Sequence, residues 1–215
     1  PSPIGLSLRQ DWMRARSIPA GNLDEFRRKL ARFDLPLQAL WEAGCHRLRL
    51  PAGDLRSEET RARILELHEK GTRFTFYSAG MAALGHAEAI RTHAEWIDAW
   101  EIVTLDGRLP DEAVLGAARA AGVPIFVSCI QTVEKKTGQY FSHFPRHGFP
   151  ARGPDFESIL AQPDVDGLIG VLPHDAHPWE AGEFATLQQR TQVPIRVNLE
   201  LRRATEGTRY TDDLA

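Results

Sequence analysis

Two stretches of the chain concentrate side chains that carry acid–base or metal chemistry. The first, residues 131–153, combines lysines, histidines and an arginine with several aromatic side chains. A lysine or arginine can hold a carboxylate or phosphate, and a histidine can exchange protons near neutral pH. We therefore expect Lys135, His143 and His147 to act as catalytic groups and Arg146 to bind substrate.

The aromatic residues of this loop allow two interpretations. Phe141, Phe144 and Phe149 could exclude water from a catalytic site as part of a closing lid. They could equally anchor the loop on a neighbouring subunit, because buried aromatic side chains often dominate protein interfaces. The sequence alone leaves both interpretations open.

The second stretch is PHDAHPW at residues 173–179, where His174, Asp175 and His177 lie close together. Imidazole and carboxylate groups ligate divalent ions, and Glu200 is a candidate for a further ligand. The sequence therefore predicts a site for Zn, Mg or Mn at these four residues. The alternative is that Asp175 caps the following helix and the histidines are solvated, since the spacing matches no established motif such as HExxH.

Both stretches lie among short apolar segments that alternate with helical patterns. Such alternation predicts βαβ units and a parallel sheet covered on both faces. The predicted strands are residues 3–8, 46–51, 73–78, 100–106, 124–130, 166–173 and 194–201. Helices are predicted from Asn22 through Phe33, through 37–41, after Ser57, around 84–97, over 110–121, at 155–162 and over 178–191.

This series of repeats resembles the TIM-barrel (β/α)8 superfold over essentially the whole chain, without indicating a particular family. The resemblance implies an α/β fold with one (β/α)-barrel-like domain over residues 1–215. Seven strands are predicted, and the eighth is missing or outside this chain. An open doubly wound sheet is less favoured because no glycine-rich turn follows the first strand. The chain does not begin with Met, which leaves open that it is processed or part of a longer protein.

Both architectures bind ligands at the carboxyl ends of their strands, so we expect the residues that follow each strand to converge. Asp106 follows a predicted strand and is interpreted as a catalytic base or a metal ligand. Arg9, Asn198 and Arg202 occupy comparable positions and are interpreted as substrate-binding residues.

Composition narrows the classes of partner and cofactor. A net charge of -3 gives no basic excess, so no nucleic-acid partner is expected. No apolar run approaches the ~18 residues of a membrane span, and no glycine-rich nucleotide motif occurs. Cys45 and Cys129 are interpreted as reduced core thiols, which favours a cytoplasmic location.

The favoured hypothesis is an enzyme that acts on a small anionic substrate, a carboxylate or phosphate, by acid–base chemistry with or without a divalent metal. A lyase of the aldolase type is preferred to a hydrolase, on analogy with the superfold. The alternative is a non-catalytic accessory or assembly domain of a larger protein. In that case the 131–153 loop binds a partner surface or a second copy of the chain, which would form a homo-oligomer.

Overall fold

The computed structural model describes residues 5–7, 16–19, 28–31, 38–39, 41–105, 108–131, 146–151, 159, 165–172 and 176–199. The strands, in chain order, are β1 (Leu6–Ser7), β2 (Arg16–Pro19), β3 (Arg28–Ala31), β4 (Arg47–Pro51), β5 (Arg73–Ala79), β6 (Ile97–Leu105), β7 (Ile125–Gln131), β8 (Arg146–His147), β9 (Gly167–Leu172) and β10 (Ile195–Leu199). The order across the main sheet is β1-β4-β5-β6-β7-β9-β10, and all of these neighbours are parallel. The sheet curls into a half-barrel, which confirms the predicted α/β fold with barrel-like repeats.

The longer helices between these strands are α1 (Glu58–Glu69), α2 (Ala87–Thr92), α3 (Glu112–Ala120) and α4 (Ala181–Thr191). Side-chain caps start two of them. Ser57 Oγ accepts from the N–H of Thr60 at α1, and Asp111 Oδ1 accepts from the N–H of Ala113 at α3. Each cap satisfies a backbone donor that has no partner within the helix. The helix predicted after Ser57 is thus confirmed. No helix in the part of the chain that the structure describes is long and apolar enough to cross a membrane.

Each predicted strand of the main sheet is confirmed, but the helix expected after Asn22 is wrong at residues 28–31. These residues form β3, which pairs antiparallel with β2 from Arg16↔Ala31 to Pro19↔Arg28. The pairing supplies backbone hydrogen bonds between segments that are distant in sequence, and local apolar periodicity carries no information about such a partner. The short helix expected near residue 37 is borne out at 38–39 and 41–42.

The convex face of the sheet carries the larger apolar core. Phe74, Phe76, Trp100 and Ile102 alternate along β5 and β6 and pack with buried residues of the surrounding helices, such as Ile64. Burying a large apolar side chain contributes roughly 1.5–3 kcal/mol relative to leaving it exposed. This face therefore supplies most of the hydrophobic stabilisation that holds the helices on the sheet.

The concave face carries the residues that alternate with these along each strand, because successive side chains point to opposite faces of a sheet. They form layers, and each layer is contributed by alternate strands. Thr75 of β5, Phe126 of β7 and Arg196 of β10 share one layer: Arg196 Nη1 donates to Thr75 Oγ1 at 2.5 Å, and its guanidinium lies 4.4 Å from the Phe126 ring centroid. Because β5 and β10 are separated by three strands in the sheet, this contact crosses the interior and requires strong curvature. Layers built from alternate strands are the packing pattern of (β/α)8 barrels.

The segment of residues 146–149, here called the wedge, lies between two strands of the half-barrel. β7 and β9 pair directly only near their amino ends. Further along, β8 pairs antiparallel with β7, and Phe149 bonds to β9 instead: its N–H donates to Ile169 O (2.9 Å) and its carbonyl accepts from Val171 N (2.8 Å). The 131–153 stretch, which was predicted to be a loop, therefore includes a strand of the sheet.

Gly148 permits the wedge to approach β9. Its φ is +131°, and a Cβ at this position would lie 2.6 Å from the backbone carbonyl of Gly170. We expect Gly148→Ala to lower the free energy of unfolding by about 1–3 kcal/mol or more, through backbone strain and displacement of the wedge. Urea unfolding followed by circular dichroism measures the change.

Gly116→Ala is the matched control. Gly116 lies in α3, and a Cβ there would meet nothing within 4 Å. This substitution should stabilise the protein by about 0.5–1 kcal/mol, because alanine loses less backbone entropy in a helix. Equal effects of the two substitutions would show that the wedge contributes nothing specific to the native state.

Candidate functional site

Four residues predicted for the site lie in the described part of the chain, and all belong to one side of the half-barrel. Arg146 pairs with Gln131, and His147 pairs with Ile130, at the carboxyl end of β7. His177 follows β9, and Asn198 is the penultimate residue of β10. β9 and β10 pair along their length, and the wedge lies between β7 and β9 towards their carboxyl ends, so the three strand ends and the wedge share one edge. The fold brings these four backbone positions to that edge.

The remaining predicted site residues lie outside the described residues, and their roles stay predictions. Two of them follow described strands directly in sequence, because β6 ends at Leu105 and β10 ends at Leu199. The residues concerned are Arg9, Asp106, Lys135, His143, His174, Asp175, Glu200 and Arg202.

His177 is the one predicted metal ligand within the described residues. Its backbone N–H donates to Glu180 Oε1 at 3.0 Å, and its ring stacks on Trp179 with centroids 3.9 Å apart. Within the described ranges, no group of three His, Cys, Asp or Glu side chains is placed to hold a metal ion. The other three predicted ligands fall outside those ranges, so the metal site is neither supported nor contradicted.

One phenylalanine expected in a lid has a different position. Phe149 is buried in the wedge and packs with Val127, Leu168 and Phe184 under the helices of the convex side. The physical reason is the main-chain pairing with β9, which draws the residue into the sheet. Phe149 therefore cannot serve as a moving cover, and the lid interpretation is wrong for this residue.

A buried ion pair lies on the concave face, within the strands rather than after them. Arg49 Nε and Nη2 donate to the Glu101 carboxylate at 2.5 and 2.8 Å, a bidentate arrangement. Ser128 Oγ also donates to Glu101, and Arg49 Nη1 donates to Ser7 Oγ at 3.0 Å. The guanidinium lies over the Tyr77 ring, 4.1 Å from its centroid. The network joins strands β1, β4, β5, β6 and β7.

The environment of this pair keeps Arg49 charged. The side chain of Glu101 is 0% exposed and that of Arg49 is 12% exposed. Burial lowers the pKa of Arg49, but attraction to Glu101 and hydrogen bonding with it more than offset this, so the pKa is raised overall. Sequence analysis missed both residues because it considered only positions after strands. The sequence did contain a signal for both residues: each is a charged residue that stands among apolar residues within a predicted strand.

Arg196 is the second partly buried cation on the concave face. Burial lowers its pKa; nearby Asp98 and Glu101 oppose the shift, and Arg47 adds to it. Asp98 itself is paired with Arg47 at 2.7 Å. Among the residues that the structure describes, no carboxylate lies within 4.0 Å of Arg196. This residue was also missed in the sequence.

A buried hydroxyl, an imidazole and an indole meet at the end of β5. Trp100 Nε1 donates to Ser78 Oγ at 3.0 Å, and Ser78 Oγ lies 2.9 Å from His86 Nδ1. The indole N–H only donates, whereas the Ser78 hydroxyl has one proton and two acceptor lone pairs, so the direction of the Ser78–His86 hydrogen bond follows the tautomer of the imidazole. Burial, and secondarily the charge of Arg56, lower the pKa of His86.

Large apolar side chains are also exposed near the carboxyl ends of the strands. Leu105 ends β6, Leu199 ends β10, Met81 follows β5 and Trp179 follows β9. Each is more than half exposed. An apolar surface beside polar groups is typical of a ligand-binding or partner-binding edge.

Comparison with known proteins adds no family: no model of a protein family, no curated protein and no solved structure matches the chain significantly.

The Arg49–Glu101 pair predicts a large effect of single substitutions. Glu101→Leu or Arg49→Leu alone should lower the free energy of unfolding by about 3–5 kcal/mol, because each leaves a buried charge without its partner. The double variant should lose less than either single variant, and urea unfolding of all four proteins gives the coupling energy. Additive losses would contradict a direct interaction.

The lowered pKa of His86 predicts a loss of stability in mild acid. The folded protein binds this proton more weakly than the unfolded chain, whose histidines titrate near pH ~6.5. The contribution of His86 is fully present above that pH and is lost as pH falls from there through the folded pKa. His86→Asn retains an acceptor for Ser78 and should flatten the dependence of the urea midpoint on pH between about 7.5 and 5.

His93→Asn is a useful comparison, because burial, then the charge of Arg61, also lower the pKa of His93. Each variant should remove its own share of the pH dependence. An unchanged slope in His86→Asn would contradict the assignment of the neutral imidazole at Ser78.

Proposed function

We propose that this protein is an enzyme that acts on a small anionic substrate at the carboxyl edge of its half-barrel. The observation that carries the proposal is the pairing of β8 with the carboxyl end of β7. This pairing supports neighbouring backbone positions for Arg146 and His147 at the carboxyl end of β7. A cation to bind an anion and an imidazole to move a proton are the minimum that acid–base chemistry on such a substrate needs.

Each residue has a distinct role in this proposal. Arg146, with Arg9 and Arg202, binds the carboxylate or phosphate of the substrate, and Asn198 donates or accepts a hydrogen bond through its amide. His147 or His143 transfers the proton, and Asp106 acts as the base. Lys135 neutralises charge that develops during reaction. The scaffold favours accurate positioning, because the backbone of residues 146–149 is hydrogen-bonded on both sides.

A divalent ion fits this proposal but is not required by it. If bound by His174, Asp175, His177 and Glu200, it would supply a Lewis acid that polarises a carbonyl or phosphoryl oxygen. A carbon–carbon lyase remains our preferred reaction class over a hydrolase, on analogy with the superfold.

The exposed apolar residues near the strand ends favour a second candidate function. Met81, Leu105, Trp179 and Leu199 would suit a non-catalytic domain that binds a partner or a second copy through this edge. The 131–153 loop would then belong to the interface, and a homo-oligomer would form through it.

The proposed activity is tested with mixtures of 2-oxo acids, aldehydes and phosphorylated sugars, incubated with the protein and analysed by proton NMR. We expect new products, with or without added Mg²⁺, Mn²⁺ or Zn²⁺. His147→Gln should lower the rate by about 10²–10⁴-fold, the usual contribution of a general acid–base group.

His68→Gln is the matched control, because His68 lies in α1 and away from the carboxyl edge. It should leave the rate unchanged. An absence of products under all conditions, together with a stable dimer by light scattering that dissociates on Trp179→Ser, would contradict the enzyme and support the binding domain. Elemental analysis of wild-type, His174→Ala and His177→Ala protein separately tests the metal.

A further inference from the structure

We propose that Arg196 forms a second anion-binding site, on the concave face of the half-barrel, for the carboxylate or phosphate of a small molecule. This site is separate from the carboxyl edge and does not depend on the chemistry proposed there. It rests on the contacts, charges and accessibility of the residues around the Arg196 guanidinium.

The guanidinium is held in place but keeps most of its donors available. Thr75 Oγ1 accepts one hydrogen bond from Nη1 at 2.5 Å, and the Phe126 ring supports one face of the group. A guanidinium has five N–H donors in a planar fork. The described residues offer no acceptor to the other four. Such a pre-oriented fork matches the two oxygens of a carboxylate or phosphate.

The charges on this face leave one positive charge without a partner. Arg47 is paired with Asp98, and Arg49 is paired with Glu101. Among these described neighbours, two carboxylates therefore face three guanidinium groups, and Arg196 is the one in excess. A partly buried cation without a carboxylate costs stability, since burial removes water that would otherwise solvate it. A residue that is kept although it lowers stability is typical of a ligand-binding site.

The position of Arg196 also gives a ligand access. β10 and β1 form the two edges of the main sheet. Residues 195–198 of β10 are partly exposed, and Gly5, Leu6 and Ser7 are exposed. The registers Ser7↔Arg49 and Arg49↔Thr75 set Ser7, at the edge of the sheet, in line with Thr75.

The test measures binding of inorganic phosphate and of malonate by isothermal titration calorimetry at constant ionic strength. We expect both anions to bind the wild-type protein and Arg196→Met to raise the Kd at least about tenfold. Arg196→Lys should weaken binding less, because it keeps the charge and loses the fork. Thr75→Val should also weaken binding, because it releases the guanidinium from its orientation.

Arg63→Met is the matched control, because it removes the same charge from α1, where Arg63 pairs with Glu66. It should bind both anions as the wild type does. In thermal unfolding without ligand, Arg196→Met should match or exceed the wild type in Tm, whereas a purely structural Arg196 would make this variant less stable.

Equal binding by wild type and Arg196→Met would overturn the inference, as would no binding of either anion to the wild type. If Arg196→Met does not fold, unchanged affinity in both Arg196→Lys and Thr75→Val would overturn it. These outcomes differ from failure of the proposed enzyme, which is measured by product formation at the carboxyl edge.

Discussion

The bidentate contact between Arg49 and Glu101 sets the geometry of the half-barrel. It joins β4 to β6 over the intervening strand, so it forms only where the two strands keep their register with β5. Removing both charges from water is expensive, and the cost is recovered only when the hydrogen bonds are well formed. A shift of either strand by one residue would direct one charged group to the apolar convex face. The pair therefore makes structures in which β4 or β6 has another register much less stable.

The concave and convex faces of the sheet have different roles in the fold. The convex face is apolar and attaches the helices, whereas the concave face holds charged groups, hydroxyls and a few apolar residues. Barrel interiors are more often filled by branched aliphatic side chains. The polar filling here costs stability that an aliphatic core would not, and it provides fixed donors and acceptors inside the protein. The network around Glu101 satisfies its charges with each other, whereas Arg196 has no carboxylate partner among the residues that the structure describes.

The sequence was informative where local patterns decide the structure. Short apolar runs bounded by Gly, Pro and polar clusters identified the strands of the main sheet, and Ser57 identified the start of α1. Long-range pairing was not accessible in this way. β3 depends on β2, and the wedge depends on a gap between β7 and β9, which no local pattern reveals. For the site, positions after strands were predictable from the superfold. Arg49, Glu101 and Arg196 were not, because their partners lie on strands distant in sequence.

The wedge has a consequence for how relatives of this protein could diverge. β7 ends at Gln131 and β8 begins at Arg146, and the pairing of these two residues fixes both points. The entropic cost of closing a loop rises only slowly with its length. Insertions and deletions between those two points would therefore be tolerated by the scaffold. Selection could vary the length and chemistry of this one segment, beside the carboxyl edge, while the strands and their packing stay constant.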